Sequence, residues 1–185
     1  MIDRRHLLAL VFAAPLAPVQ AQAPAISRAT AFGFSFKTLD GQVIRLADKA
    51  GSPVLVVNTA SLCGYTPQYA GLEALWTRYR SHGLLVLGVP SNDFGGQEPG
   101  DASEIQGTAR RHGVTFPLTE KTSVRGGAAH PFYRWAAIQL PGETPRWNFH
   151  KYLIGRDGTL AAAFGSAIEP TDPRLVAAIE RQLSG

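Results

Sequence analysis

Residues 53–90 read PVLVVNTASLCGYTPQYAGLEALWTRYRSHGLLVLGVP, and the spacing of their apolar residues changes twice. The stretch begins with the β-branched run PVLVVNTA and ends with the apolar run LLVLGVP, both typical of buried central strands. Between these runs, apolar residues recur at helical spacing from Tyr69 to Tyr79, with Pro67 suited to the first turn and Gly83 to the stop. A strand, a helix and a strand in this order predict a βαβ unit with two parallel strands.

The segments on either side of this unit complete an α/β architecture. Alternating apolar and polar residues flank Asp40-Gly41 upstream and Asp157-Gly158 downstream, and each dipeptide is typical of a β-hairpin turn. Further helices are predicted in GDASEIQGTARRHGV, in RGGAAHPFYRWAAIQL and in the closing DPRLVAAIERQL. Together these elements predict one domain over residues 24–185, a thioredoxin-like three-layer sandwich with a central mixed sheet and an N-terminal β-hairpin.

The first residues differ in character from the rest of the chain. A basic start with Arg4 and Arg5 leads into the short apolar run LLALVFAAPLAP and then into the small residues of VQAQA. This order is typical of an export signal over residues 1–23, of the general secretory or twin-arginine type, with cleavage after Ala21 or Ala23. A buried N-terminal helix is the alternative, which the prolines within the run disfavour. We therefore expect a periplasmic mature protein.

The composition of the chain argues against some classes of partner for the mature domain. The chain has 185 residues, of which 45% are hydrophobic, and a formal charge of +4. This length suits one domain with a substantial core. Lys and Arg form no block, and aromatic residues are not interleaved with them, so we expect no nucleic-acid partner. The apolar runs are too short for a mature membrane-spanning helix, so we expect no stable membrane span.

Cys63 is the only cysteine, and it falls where the first strand of the βαβ unit passes into its helix. The carboxyl end of a buried parallel strand is where α/β proteins place their sites. A helix that begins near Pro67 directs unpaired N–H groups and the positive end of its dipole toward the sulfur, and both favour the reactive thiolate. The position alone fits an unreactive cysteine packed in the core equally well.

Two other segments offer hydrogen-bond donors to a charged sulfur. The loop PSNDFGGQEPG follows the second parallel strand and therefore opens at the same sheet edge as Cys63, with Gln97 directly after a flexible Gly-Gly pair. The segment PRWNFHKYLI places Trp147 and Asn148 next to each other at the entry to a strand, and both side chains can donate. Taken singly, a tryptophan such as Trp147 is more often a core residue, and an asparagine such as Asn148 is more often a turn residue.

These segments resemble, in the same order, the successive motifs of the glutathione peroxidase family. The resemblance rests on NTASLCGYTPQY, PSNDFGGQEPG, GVTFPLTEK with AHPFYRW, and WNFHKYLI, and it extends from about Phe32 to Leu183. It implies a thioredoxin-like fold and the reduction of hydroperoxides by a peroxidatic cysteine, whose position matches Cys63. The other members of the family's catalytic tetrad match Gln97, Trp147 and Asn148.

The resemblance also implies the chemistry and the partners. The Cys63 thiolate attacks the terminal oxygen of hydrogen peroxide or of an organic or lipid hydroperoxide, and a sulfenic acid and water or an alcohol result. An external thiol, either glutathione or a thioredoxin-like protein, then restores the cysteine. No metal or organic cofactor is expected, and the five histidines form no H-x-H or H-E-x-x-H grouping.

The chain departs from the family pattern at the resolving cysteine, which many members use to restore their own oxidised peroxidatic cysteine. Thioredoxin-dependent members carry a resolving cysteine in the helix before GVTFP, and that position falls near Thr108 here. Because the chain has one cysteine, we expect no intramolecular disulfide, so the oxidised Cys63 must wait for an external thiol. The segment QLPGETPR before Trp147 is also shorter than in tetrameric members, so we expect a monomer.

Three alternatives remain open from the sequence. A peroxiredoxin would carry a Pro-x-x-x-Thr-x-x-Cys run, whereas Thr59 precedes Cys63 by four residues and the proline is missing. A thiol–disulfide oxidoreductase would carry C-x-x-C, whereas Gly-Tyr-Thr follows Cys63. The third alternative is a redox-inert thioredoxin-fold module that only binds a partner.

Overall fold

The computed structural model describes residues 30–184, and the predicted export signal lies outside this range. The strands are β1 Ser35–Lys37, β2 Val43–Arg45, β3 Val54–Thr59, β4 Leu85–Pro90, β5 Lys151–Ile154 and β6 Leu160–Phe164. The α-helices are α1 Gln68–Tyr79, α2 Ala102–Arg111, α3 Pro131–Gln139 and α4 Pro173–Ser184. Within this part of the chain, no helix combines the length and the apolar character needed to cross a bilayer.

The central sheet has four strands in the order β4-β3-β5-β6. Strands β3 and β4 are parallel, with Val54 opposite Leu85, and β5 pairs antiparallel with both β3 and β6. The predicted βαβ unit is therefore confirmed, and every residue of its two strands is buried, as their unbroken apolar sequence indicates. A Cβ at Gly88 within β4 would overlap the end of the Leu118 side chain, so a larger residue there would require that side chain to move.

Helices cover both faces of the sheet and enclose two cores. The first core lies between the sheet and helices α1, α2 and α4, and it buries Tyr69 and Leu72 completely. The second lies between the sheet, α3 and the N-terminal β1–β2 hairpin, and it buries Phe132 and Trp135. This arrangement confirms the predicted thioredoxin-like sandwich with a mixed sheet and a separate hairpin.

Helix α2 begins at a capping box, which fixes the side chains of its first turn. The Asp101 carboxylate accepts a hydrogen bond from the Glu104 N–H at 3.0 Å, and the Glu104 carboxylate accepts one from the Asp101 N–H at 2.9 Å. The two bonds satisfy donors that the helix start would otherwise leave unpaired. The capping box therefore fixes the residue at which α2 begins, directly after the loop that follows β4.

Candidate active site

Cys63 lies beyond the carboxyl end of β3, in the turn that leads into α1, as the sequence predicts. Its residue is 7% exposed, and its backbone N–H donates to Thr66 Oγ1 at 3.1 Å. The Tyr65 N–H donates to Sγ at 3.4 Å. Since α1 begins at Gln68, the N–H that contacts the sulfur comes from the preceding turn and not from the helix itself.

Gln97 and Asn148 meet beside the Cys63 turn. Asn148 Nδ2 donates to Gln97 Oε1 at 2.9 Å, so the amide nitrogen of Gln97 remains available as a donor. The main chain of Gln97 is tied to the cysteine turn, because the Leu62 N–H donates to Gln97 O at 3.0 Å. Gly95 and Gly96 adopt φ values of 64° and 65°, a left-handed pair that only glycine enters without strain, and this explains their place before Gln97.

Trp147 lies on the surface of the site and not in the core. It is 39% exposed, and its ring packs against that of Phe94 with a centroid separation of 6.0 Å. Asn58, near the carboxyl end of β3, forms hydrogen bonds with the main chain on both sides of Asn148. It donates from Nδ2 to Trp147 O at 3.1 Å and accepts at its own carbonyl from the Phe149 N–H at 2.6 Å. The structure thus places all four predicted site residues at one edge of the sheet.

The turn that carries Asn148 contains a strained residue. Phe149 has a φ of 62°, although it is not a glycine and is completely buried. A left-handed residue of this kind costs about 1–3 kcal/mol and persists where the surrounding structure holds it. Lys151 supplies part of that support, since its Nζ donates to Phe149 O at 2.8 Å. The same ammonium donates to Gln68 Oε1 and to Ile168 O, both at 2.6 Å.

Replacing Lys151 by methionine is expected to lower the free energy of unfolding by about 3 kcal/mol. Methionine keeps the length of the side chain but removes the donor from three acceptors, of which Gln68 Oε1 and Phe149 O lie in buried hydrogen bonds and Ile168 O in a partly buried one. Urea denaturation of both proteins measures the change. Lys37→Met is the control, because Lys37 forms an exposed ion pair with Glu120 and should contribute less than about 1 kcal/mol. Similar losses in the two variants would contradict the prediction.

His150 lies next to Lys151 and makes folding depend on pH. Burial, followed by the Lys151 charge, lowers the pKa of His150 to about 4 from the ordinary value of 6.5. Between these two pH values the unfolded chain binds a proton at His150 that the folded chain does not bind. The free energy of unfolding therefore falls as the pH decreases from 6.5 to 4, by about 3 kcal/mol from this group.

His150→Gln is expected to remove most of this acid-induced loss of stability. Urea denaturation at pH 7 and at pH 4.5 measures the difference for the wild type and for the variant. His82→Gln serves as the control. His82 is exposed and lies just after the C-terminal end of α1, so its replacement should leave the acid-induced loss of stability unchanged. An equal loss in wild type and His150→Gln would show that another group causes it.

Three residues that support the site were not singled out in the sequence. Asn58 and Thr66 hold main-chain groups of the site segments, as described above. Glu98 follows Gln97 and is completely buried. Burial raises the pKa of Glu98, and the Ser61 hydroxyl, the Ser61 main-chain N–H and the Lys121 charge oppose that shift. Only the position of Thr66, three residues after Cys63, offers a sequence signal, because a hydroxyl at that spacing often closes a turn.

The site contains one thiol and no obvious metal site. Cys63 is a free cysteine, and Thr108, at the position matched to the resolving cysteine, is buried in α2. Within residues 30–184, no three side chains of His, Cys, Asp or Glu are grouped as metal ligands. The arrangement suits chemistry at a single sulfur atom, with the amides of Gln97 and Asn148 beside its turn and the Trp147 ring at the same edge of the sheet.

The fold and the site define a thioredoxin-fold protein built around one buried thiol. A family model described as glutathione peroxidase matches residues 31–137. The chain belongs to the glutathione peroxidase family, as the motifs in the sequence predict.

Relatives and solved structures agree with this assignment. The chain is 44% identical over 164 residues to the hydroperoxy fatty acid reductase gpx1 of Synechocystis sp., covering 83% of this chain and 96% of the relative. It is 45% identical over 157 residues to the glutathione peroxidase-like peroxiredoxin GPX5 of Chlamydomonas reinhardtii, with the same coverage of 83% and 96%. The crystal structure of T. cruzi GPX1 superimposes with a TM-score of 0.68 at 28% identity, covering 85% of this chain and 98% of that one.

Proposed function

We propose that this protein is a thiol-dependent peroxidase that reduces hydroperoxides through Cys63. The observation that carries the proposal is the position of the buried Cys63 sulfur, with the Tyr65 N–H directed at it and the Asn148–Gln97 pair beside its turn. Two relatives are named for related activities, one as a hydroperoxy fatty acid reductase and one as a glutathione peroxidase-like peroxiredoxin. Hydrogen peroxide and organic or lipid hydroperoxides are the proposed substrates.

The oxidative step takes place at the sulfur. The Cys63 thiolate attacks the terminal oxygen of the peroxide, so that an S–O bond forms and the O–O bond breaks. The leaving alkoxide or hydroxide takes up a proton and departs as an alcohol or water. The donors assigned to stabilise the thiolate and the leaving oxygen are Gln97, Trp147 and Asn148.

The reductive step requires an external thiol, because the chain has one cysteine. A thiol attacks the Cys63 sulfenic acid and forms a mixed disulfide, which a second thiol resolves. Glutathione or a thioredoxin-like protein is the proposed reductant. We also propose that this protein is a monomer.

A titration with peroxide in the absence of thiol tests the proposed function. We expect about one peroxide to be consumed per subunit, in step with the loss of the single alkylatable thiol. Further peroxide should add oxygen atoms to Cys63, which intact mass spectrometry resolves. Peroxide consumption that continues after Cys63 is fully oxidised, or an intact Cys63 thiol after exposure to several equivalents of peroxide, would contradict the proposal.

We also propose that the protein acts in the periplasm after removal of the export signal. The basic, apolar and small-residue order of residues 1–23 supports this location. The intact mass of native protein from a periplasmic extract should correspond to a chain that starts at Gln22 or Pro24. A periplasmic pool that retains Met1 would contradict the proposed cleavage.

A further inference from the structure

Lys151 is a completely buried cation with no part in the steps proposed above. Its ammonium donates to Gln68 Oε1 at 2.6 Å, to Phe149 O at 2.8 Å and to Ile168 O at 2.6 Å. All three acceptors are uncharged, and no ion pair in the part of the chain that the structure describes includes Lys151. Burial lowers the pKa of Lys151 from 10.5 to about 8, and the Glu169 charge opposes that shift. All three N–H groups of the ammonium are therefore used to hold neutral groups in place.

The three acceptors belong to segments that are far apart in the sequence. Gln68 is the first residue of α1, and Phe149 directly follows Asn148. Ile168 lies in the loop between β6 and α4. The Gln68 amide also donates to Ser166 O at 2.8 Å, which joins the start of α1 to that loop a second time. One buried cation consequently fixes the turn that carries Asn148 relative to the start of α1.

The start of α1 is joined to the cysteine turn by main-chain hydrogen bonds. The Gln68 N–H donates to Tyr65 O at 2.9 Å, and the Tyr65 N–H donates in turn to Cys63 Sγ at 3.4 Å. The Thr66 N–H donates to Cys63 O at 3.0 Å. A shift of Gln68 therefore displaces the turn that carries the sulfur.

Phe149 connects Lys151 to the Asn148 amide. The Phe149 N–H donates to Asn58 O at 2.6 Å, while its carbonyl accepts from Lys151, so the peptide groups on both sides of Phe149 are fixed. Its φ of 62° is unfavourable for a residue with a side chain and persists only under such restraint. Without Lys151, Phe149 is free to relax toward a negative φ. That rotation is expected to displace Asn148 from its hydrogen bond with Gln97.

We propose that Lys151 is a positioning residue for peroxide reduction, which holds the Asn148 amide in place beside the Cys63 turn. This role rests on the proposed peroxidase function and adds to it a residue that makes no contact with the peroxide. Contact is excluded because Lys151 is completely buried and all its N–H groups are occupied. A lysine suits the role, since its ammonium offers three donors at one atom, whereas a glutamine offers two and a methionine none. Loss of Lys151 should therefore slow the reaction that depends on Asn148.

Two reactions of reduced Cys63 in the full-length protein test this role. Stopped-flow measurement with hydrogen peroxide follows the step assigned to Asn148, whereas alkylation with iodoacetamide follows the thiolate alone, because the leaving iodide needs no hydrogen-bond donor. In Lys151→Met, the peroxide rate constant is expected to fall about ten-fold relative to the alkylation rate constant, since a small displacement of a stabilising group is costly. Lys37→Met is the matched control, because Lys37 lies in an exposed ion pair, and its ratio of rate constants should stay at the wild-type value.

The same two reactions in the Asn148→Ala background show whether Lys151 acts through the amide. There, Lys151→Met should change the ratio of rate constants by less than about two-fold, because the side chain that it positions is absent. A general disturbance of the fold would instead lower the ratio equally in both backgrounds. An equal loss in the two backgrounds, or an unchanged ratio in Lys151→Met alone, overturns the proposal.

A milder variant serves if circular dichroism shows that Lys151→Met does not fold. Gln68→Met removes one acceptor and leaves the two main-chain acceptors of the ammonium in place. The ratio of rate constants should fall about four-fold in this variant, and by less than about two-fold in the Asn148→Ala background. An unchanged ratio in a folded Gln68→Met then overturns the proposal, whereas a wild-type Cys63 that does not react with peroxide overturns the peroxidase function itself.

Discussion

Cys63→Ser is expected to reduce peroxide consumption by at least roughly 10³-fold, because serine removes the nucleophile on which the proposed reaction depends. The change replaces one sulfur by an oxygen at a site that is 7% exposed, so the fold should persist. A coupled assay with an excess of thiol measures turnover, and circular dichroism checks the fold.

The same comparison separates a catalyst from a redox-inert thioredoxin-fold module. Ser184→Ala, at the exposed end of α4, is a control that should turn over like the wild type. Equal peroxide consumption by wild type and a folded Cys63→Ser would show that the chemistry does not take place at this residue. No consumption by the wild type with any thiol would favour the binding module.

Asn148→Ala and Gln97→Ala are each expected to lower turnover by about 10²-fold while the fold is kept. The two amides are joined by a hydrogen bond of 2.9 Å, so removal of either one also releases the other from its position. We therefore expect the double variant to lose much less than the product of the two single losses. Initial rates at several peroxide concentrations measure these effects.

Gln42→Ala is the matched control for these two variants, because Gln42 presents an exposed amide in the β1–β2 turn. It should change turnover by less than about two-fold. Full activity in both Asn148→Ala and Gln97→Ala would mean that the roles implied by the family do not apply to this chain. Trp147→Phe is a less specific test, because the ring also packs against Phe94.

The elements of the fold could be predicted because their signals are local. The β3–α1–β4 unit follows from the change between continuous and helical apolar spacing, and both hairpins form at the predicted Asp-Gly dipeptides. The place of Cys63 follows from the same unit, since a strand that passes into a helix ends at the sheet edge. Gln97 could be placed because a Gly-Gly pair precedes it and the loop follows the neighbouring parallel strand.

The remaining features of the site depend on contacts between distant segments. Taken alone in the sequence, Trp147 is more often a core residue, whereas in the structure its ring packs over Phe94 and stays partly exposed. A glutamate is usually exposed, so no local pattern indicates that Glu98 is buried. The left-handed Phe149 is held by Asn58 and Lys151, and neither the strain nor its support can be recognised from residues 147–151 alone.

The single buried thiol also determines how the protein can be observed. Cys63 carries one of only two sulfur atoms in the chain, and the other belongs to Met1. In a mature protein that starts at Gln22 or Pro24, sulfur X-ray absorption would report on one atom, with no background from other residues. Thiolate, sulfenic acid and the more highly oxidised states would then each give a distinct edge energy from the same position, so the oxidative half of the cycle could be followed without a label before any external thiol is added.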